Sequence, residues 1–314
     1  MDWLYAYEDE LRMVFEDSKR TISAFPEPLQ GQGMSYLDHF NVFTAGSHKN
    51  YICYLLPFWL RDGYGLPVEV TRQMSRGNVF LMLYFFIQDD LMDSHEFSAR
   101  LNLPLANLFY VEFLNIYRHL FPTDSPFWSF FSRYISEWAD SVSNERTGDY
   151  FNNNRVKISH KASPLKLSST AALLLTGHDE IVPASEAMID DVLFTLQMLD
   201  DYEDWEEDWT TGSYNCLLAL AHRHRSDAQN ELTLGEVRNF IFTTGGMEIF
   251  ANIARATDDR LSAYALNAPH LYAFHQLLSE SLDQISAAIE EEKRLLQGGG
   301  LSYWISKNMT DMHK

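Results

Sequence analysis

Two clusters of aspartates have the spacing of a metal site. Residues 84–94 read YFFIQDDLMDS, and residues 196–208 read LQMLDDYEDWEED. On a helix, Asp89 and Asp93 project from one face about one turn apart, with Phe85 one turn earlier. Asp200, Asp204 and Asp208 repeat that spacing, with Gln197 just before Asp200 on the same side. Both clusters are written Asp-Asp-x-x-Asp, with Asp90 and Asp201 as the second acids, and both close an apolar helical run. Carboxylates at a helix C-terminus oppose the macrodipole and repel one another, which costs stability unless a cation offsets them. Carboxylate oxygens suit Mg²⁺, which keeps waters and phosphate oxygens in its remaining positions. One acidic run is ordinarily a solvated helix face. Two with the same spelling are read as a paired metal site, facing each other across a cavity with coordination positions open for a diphosphate.

Helices must carry these clusters. Apolar residues recur at three-to-four spacing, and alternating β-branched runs are scarce. The pattern predicts helices near 2–22, 36–45, 47–62, 67–93, 103–120, 124–145, 153–176, 184–207, 213–223, 234–242, 244–266 and 268–297. Breaks are marked by PEPLQGQG, NERTGDYFNNN, TTGS and the GGG at 298–300. None resembles an interdomain linker, and no internal repeat is visible, so one all-α domain over 1–314 is expected.

Composition narrows the function. The 314 residues are 46% hydrophobic and 22% charged, enough for a large core. A formal net charge of -20 argues against a nucleic-acid partner, whose phosphates are held by clustered Lys and Arg. Cys53 and Cys216 are the two cysteines, with neither a disulfide framework nor metal-ligand spacing. The N-terminus has no signal-type run, and the longest apolar stretches, YICYLLPFWL and FLMLYFFI, are too short to span a bilayer. A cytoplasmic protein without stable membrane insertion is expected. No Gly-rich phosphate loop appears, and the HRHR at 222–225 reads as a solvated turn.

The paired motifs resemble those of the trans-isoprenyl diphosphate synthases and the related class I terpene synthases. Gln197 with Asp200, Asp201 and Asp204 is similar to that family's Gln-x-x-Asp-Asp-x-x-Asp, and Asp208, Gly212 and the Tyr-Asn of GSYN match its continuation. Upstream, HKASPLKLSSTAALLLTG resembles the lysine-bearing helix, with Lys161 as the diphosphate lysine and Lys166 as the weaker candidate. The likeness covers most of residues 45–220. It implies a single-domain class I isoprenoid synthase helical bundle around a central cavity, and a homodimer. It implies that Asp89, Asp90, Asp93, Asp200, Asp201 and Asp204 hold three Mg²⁺ ions. Asp89, Asp93, Asp200, Asp204 and Lys161 form the implied catalytic set. Lys161, helped by Arg155 or Lys157, and Gln197 would meet the diphosphate, and Tyr84, Phe85 and Phe86 would wall the prenyl tail. The substrate class is geranyl, farnesyl or geranylgeranyl diphosphate, ionised to an allylic cation that aromatic faces stabilise.

Departures from the family matter equally. Its elongating members carry Gly-Gly-Lys-Arg-x-Arg for isopentenyl diphosphate. The nearest stretch here, GSHKNYICYLLPFWL, keeps Gly46 and Lys49 but has Asn50 and Cys53 in place of arginines. Their Arg-Arg-Gly after the first motif reads SHEFSARLN here, with Arg100 out of register. Arginine's planar fork suits bidentate phosphate contacts, so a second diphosphate site is not expected. The expectation is therefore a class I terpene synthase, a Mg²⁺-dependent lyase forming a terpene hydrocarbon or alcohol. The alternative is a chain-elongating prenyltransferase, and after it a non-catalytic partner subunit.

Overall fold

The computed structural model describes residues 2–93, 99–225 and 232–310. Among them every regular element is helical: α1 Asp2–Tyr5, α2 Glu8–Ile22, α3 Leu29–Phe40, α4 Tyr51–Tyr64, α5 Val68–Asp93, α6 Ala99–Leu120, α7 Phe127–Ser143 and α8 Tyr150–Asn153. The chain continues through α9 Val156–Ser159, α10 Lys166–Thr176, α11 Val182–Glu203, α12 Trp205–Thr211, α13 Cys216–Arg223, α14 Leu234–Phe242, α15 Gly246–Leu261 and α16 Pro269–Thr310. This is the all-α class that the periodicity predicts. The helices gather into two compact units. One comprises Met1–Trp138, Ala162–Ala187 and Ala265–Ala273, the other Ala139–Lys161, Met188–Tyr264 and Phe274–Lys314.

In the first unit α5 packs against α2, α4, α6 and α10. Met74, Val79, Phe80, Leu83 and Ile87 are its fully buried apolar side chains. Gly77 lets α6 approach, because a Cβ there would lie 2.7 Å from Tyr117 Cε2. Asn78 then joins four helices. Its Nδ2 donates to the carbonyl of Cys53 on α4 (2.9 Å) and to Ser168 Oγ on α10 (3.0 Å). Its Oδ1 accepts from the Tyr117 hydroxyl on α6 at 3.3 Å. Pairing every polar group of a buried side chain avoids a desolvation cost and fixes the rotation of α5 about its axis. The face that its acidic end presents is thereby fixed too.

In the second unit the core gathers Phe151, Phe194, Met198, Trp205, Cys216, Leu217, Phe250 and Leu282. Helix α11 is held there by two polar clamps one turn apart. Asp191 accepts from Arg260 Nη2 (2.7 Å) and from the Tyr264 hydroxyl (2.8 Å). Thr195 Oγ1 meets His275 Nε2 at 2.8 Å, and His275 Nδ1 meets Asp258 Oδ1 at 2.9 Å. Burial lowers the His275 pKa in spite of Asp258, so the ring is neutral, donates from Nδ1 and accepts from Thr195.

Several boundaries differ from the sequence expectation, and three of them bear on the site. Helix α3 begins at Leu29, inside the stretch PEPLQGQG read as a break. A Cβ on Gly33 would come within 2.9 Å of Ile22 Cγ2 and 3.2 Å of Leu105 Cδ1, so this glycine serves close packing and not a turn. The helix expected over 153–176 is divided by a 3₁₀ segment, His160–Leu165, with a kink at Ala162 and with Pro164 inside it. The helix expected over 184–207 ends at Glu203, and Asp204 becomes the cap residue of α12.

Candidate active site

The acidic end of α5 belongs to the first unit. It has no basic residue in its last turn, so nothing on the helix itself offsets the carboxylates. Asp89 and Asp90 are exposed. The Tyr36 hydroxyl of α3 donates to Asp90 Oδ2 at 2.7 Å. Burial first, and then that bond and the charges of Asp90 and Asp89, push the Tyr36 pKa up, so the phenol keeps its proton. The Asp93 backbone is helical, while its side chain and that of Arg100 lie outside the described residues.

The aromatic trio above these aspartates does not share one direction. Successive helical residues point about 100° apart, and each ring finds its own neighbour. Tyr84 stacks on Tyr110 (4.8 Å), Phe85 meets Trp138 edge-on (4.6 Å) and Phe86 stacks on Phe40 (4.6 Å). All three are half-buried. Beside Tyr36 lies a groove of about 520 Å³, lined by Gln32, Ser35, Asp38, His39 and the turn Thr44–Ser47. Among the described residues, none that lines it is Lys or Arg. Lys49, further along the same loop, is exposed.

In the second unit, the end of α11 separates the two acids of LQMLDDYEDW. Asp201 is 3% exposed, and both of its carboxylate oxygens are used. Oδ1 accepts from Gln197 Nε2 at 2.7 Å and Oδ2 from the Cys216 backbone N–H at 2.6 Å. Asn215 braces the same corner. It caps α13 by accepting from the N–H groups of Leu217 and Leu218, and its Nδ2 donates to the Asp201 carbonyl (2.7 Å) and Asp208 Oδ2 (2.8 Å). Gly212, at φ 71°, supplies the left-handed turn between α12 and this cap. The Cys216 thiol, buried against Asp201, is pushed up well above its ordinary pKa and stays protonated.

Asp200 and Asp204 are exposed. Partial desolvation, followed by the charges of Asp201, Asp204 and Glu203, raises the Asp200 pKa to about 6, with Lys161 pulling the other way. Gln197 also reaches Asp200 Oδ2, at 3.2 Å. This donor set fits a hard divalent cation: anionic oxygens one turn apart, crowded enough to raise the proton affinity of Asp200. Among the described residues no group of three or more His, Cys, Asp or Glu side chains is gathered as a metal site.

The two candidate lysines have different surroundings. Lys161 ends the first stretch of the second unit, and its ammonium pairs with Glu145. Burial opposes its charge, but Glu145, and Asp201 behind it, outweigh that and raise its pKa. Lys166 belongs to the first unit, has a 2% exposed side chain and pairs with Glu137 Oε2 at 2.8 Å, with the Tyr134 ring 5.1 Å away. Lys157 pairs with Asp140, and the Arg155 guanidinium lies over the rings of Phe151 and Phe194. In HRHR, His222, Arg223 and His224 are exposed, as a solvated turn requires, while the Arg225 side chain is largely buried and pairs with Glu236 at 3.2 Å.

Neither Tyr36 nor Glu145 stands out in the sequence, since their partners lie 54 and 16 residues away. Asn215 had a local signal, a capping residue type directly before an apolar helical run.

Two crystal structures share this architecture. Both are of a geranylgeranyl pyrophosphate synthase from Lactobacillus brevis ATCC 367. The first is 16% identical at a TM-score of 0.64. The second, complexed with citrate, is 15% identical at 0.67. Each alignment covers 88% of this chain and 96% of that one. The chain has the isoprenyl diphosphate synthase fold. No protein-family model matches the sequence, and no curated protein does either. An isoprenyl diphosphate synthase fold at this identity rests on helical pattern and packing, which many sequences satisfy. Among the described residues, no helix is long and apolar enough to cross a membrane.

Proposed function

We propose that residues 1–314 form one catalytic domain that ionises an allylic prenyl diphosphate, of the geranyl, farnesyl or geranylgeranyl class, with Mg²⁺ at the aspartates. The observation that carries the reading is the exposed, cation-starved pair Asp200 and Asp204, together with Lys161, on a fold shared with a geranylgeranyl pyrophosphate synthase. Bound Mg²⁺ would supply the charge that neutralises a departing diphosphate. Asp89, Asp93, Asp200 and Asp204 contribute the anionic oxygens, Lys161 donates to the diphosphate, and Gln197 orients Asp200. Asp201 acts through Gln197 and the α13 corner instead of as a ligand. Tyr84 and Phe85 exclude water and offer π faces to a cation.

The fold likeness supports chain elongation ahead of cyclisation. In elongation the allylic C–O bond breaks, a C–C bond forms to isopentenyl diphosphate, and a proton leaves carbon. A cyclising lyase is the second reading, and one specific observation favours it. The groove beside Tyr36 has Gly46 and Ser47 in its lining, includes Asp38 and, among the described residues, lacks Lys and Arg, a poor setting for a second diphosphate. Incubation of each prenyl diphosphate with Mg²⁺, with and without isopentenyl diphosphate, separates them. A longer prenyl diphosphate formed only with isopentenyl diphosphate establishes elongation. A hydrocarbon or alcohol from a single substrate establishes the lyase. The proposal includes a cytoplasmic homodimer, for which sedimentation tests the stoichiometry.

A further inference from the structure

Glu145 has no place in the chemistry above, yet it holds the one lysine that chemistry needs. It lies in the 3₁₀ turn Glu145–Thr147, after α7, and its carboxylate pairs with the Lys161 ammonium. Both side chains are about one-quarter exposed, so the pair is shielded but reachable from solvent. Lys161 feels the charges of Glu145 and Asp201, and Asp200, Asp201 and Asp208 each feel its field. A polyanion arriving at Lys161 must therefore share a single ammonium with a carboxylate of its own sign.

We propose that Glu145 is the resident counter-ion of Lys161, displaced when a diphosphate binds, and that this exchange sets how tightly the site takes a polyanion. The inference rests on the reading of Lys161 as the diphosphate lysine. An ion pair in the empty state keeps the partly buried ammonium charged, and its rupture subtracts from the binding energy of the ligand. A neutral side chain of equal size at 145 removes the competitor and leaves the shape unchanged.

The test is calorimetric titration of inorganic pyrophosphate, with Mg²⁺ present, into the full-length protein. Glu145→Gln is expected to bind about tenfold more tightly than wild type, a coupling of ordinary size. Glu145→Asp, which withdraws the carboxylate by one methylene, should fall between the two and guards against a folding defect in the first variant. In Glu145→Gln/Lys161→Met the gain should vanish, because the competition exists only through the lysine. Unchanged or weaker binding by Glu145→Gln, with wild type binding normally, overturns the inference and makes Glu145 a support for Lys161. If folded wild type binds no pyrophosphate, the functional reading itself fails.

Discussion

The backbone N–H of Cys216 donates to Oδ2 of Asp201 over 2.6 Å, tying the end of α11 to the start of α13. Asp200, its neighbour in sequence, is exposed, so adjacent acids have opposite duties. Asp201→Asn turns an amide toward a donor it cannot satisfy, on one side or the other. Its expected cost is about 1–3 kcal/mol in a urea titration. Asp200→Asn should keep full stability at neutral pH and lose metal-dependent pyrophosphate binding. A wild-type midpoint for Asp201→Asn would remove its role as a strut.

The raised pKa of Asp200 gives a pH signature. Its folded value, about 6, lies above the ordinary carboxylate value, so the folded state binds the extra proton. Its contribution is fully present in acid below the unfolded value and is lost as pH rises through about 6. Metal-free wild type should therefore lose stability relative to Asp200→Asn between the ordinary Asp value and about 6, a difference that thermal melts across that range would read. Mg²⁺ binding should strengthen over the same interval, because the cation competes with that proton.

The two lysines should separate cleanly. Lys166 is buried against Glu137, and its truncation removes one of the carboxylate's partners while Arg133 and Ser163 remain. Lys166→Met is expected to cost about 1.5–3 kcal/mol of stability. Lys161→Met should cost little stability and abolish pyrophosphate binding. The reverse pattern would make Lys166 the diphosphate lysine.

Neighbouring rings on α5 should also differ. Phe86 stacks on Phe40 of α3, and Phe86→Ala is expected to destabilise by about 2 kcal/mol with the product profile unchanged. Phe85 meets Trp138 instead, and Phe85→Ala should shift products toward longer prenyl chains. Chromatography of products from both variants decides between wall and core.

Helix class and the two acidic helix ends were legible because both depend on local periodicity and spacing. The Gly33 contact was not, since a glycine spelled like a turn serves packing against Ile22 and Leu105. The duties of Asp200 and Asp201 were equally hidden, because the partner that internalises Asp201 lies beyond the intervening α12. Lys161 and Lys166 share one stretch of sequence, but the kink at Ala162 and the acids Glu145 and Glu137 assign them to different surroundings. Tertiary partners decide such roles, and residue spacing does not encode them.

Cleavage of an allylic C–O bond is measured directly as pyrophosphate release from geranyl, farnesyl and geranylgeranyl diphosphate by the purified chain. Release is expected from at least one substrate, dependent on Mg²⁺, and reduced by about 100-fold or more in Asp89→Ala and in Asp200→Ala. No release from any substrate by folded protein, or release unchanged in both variants, would contradict it.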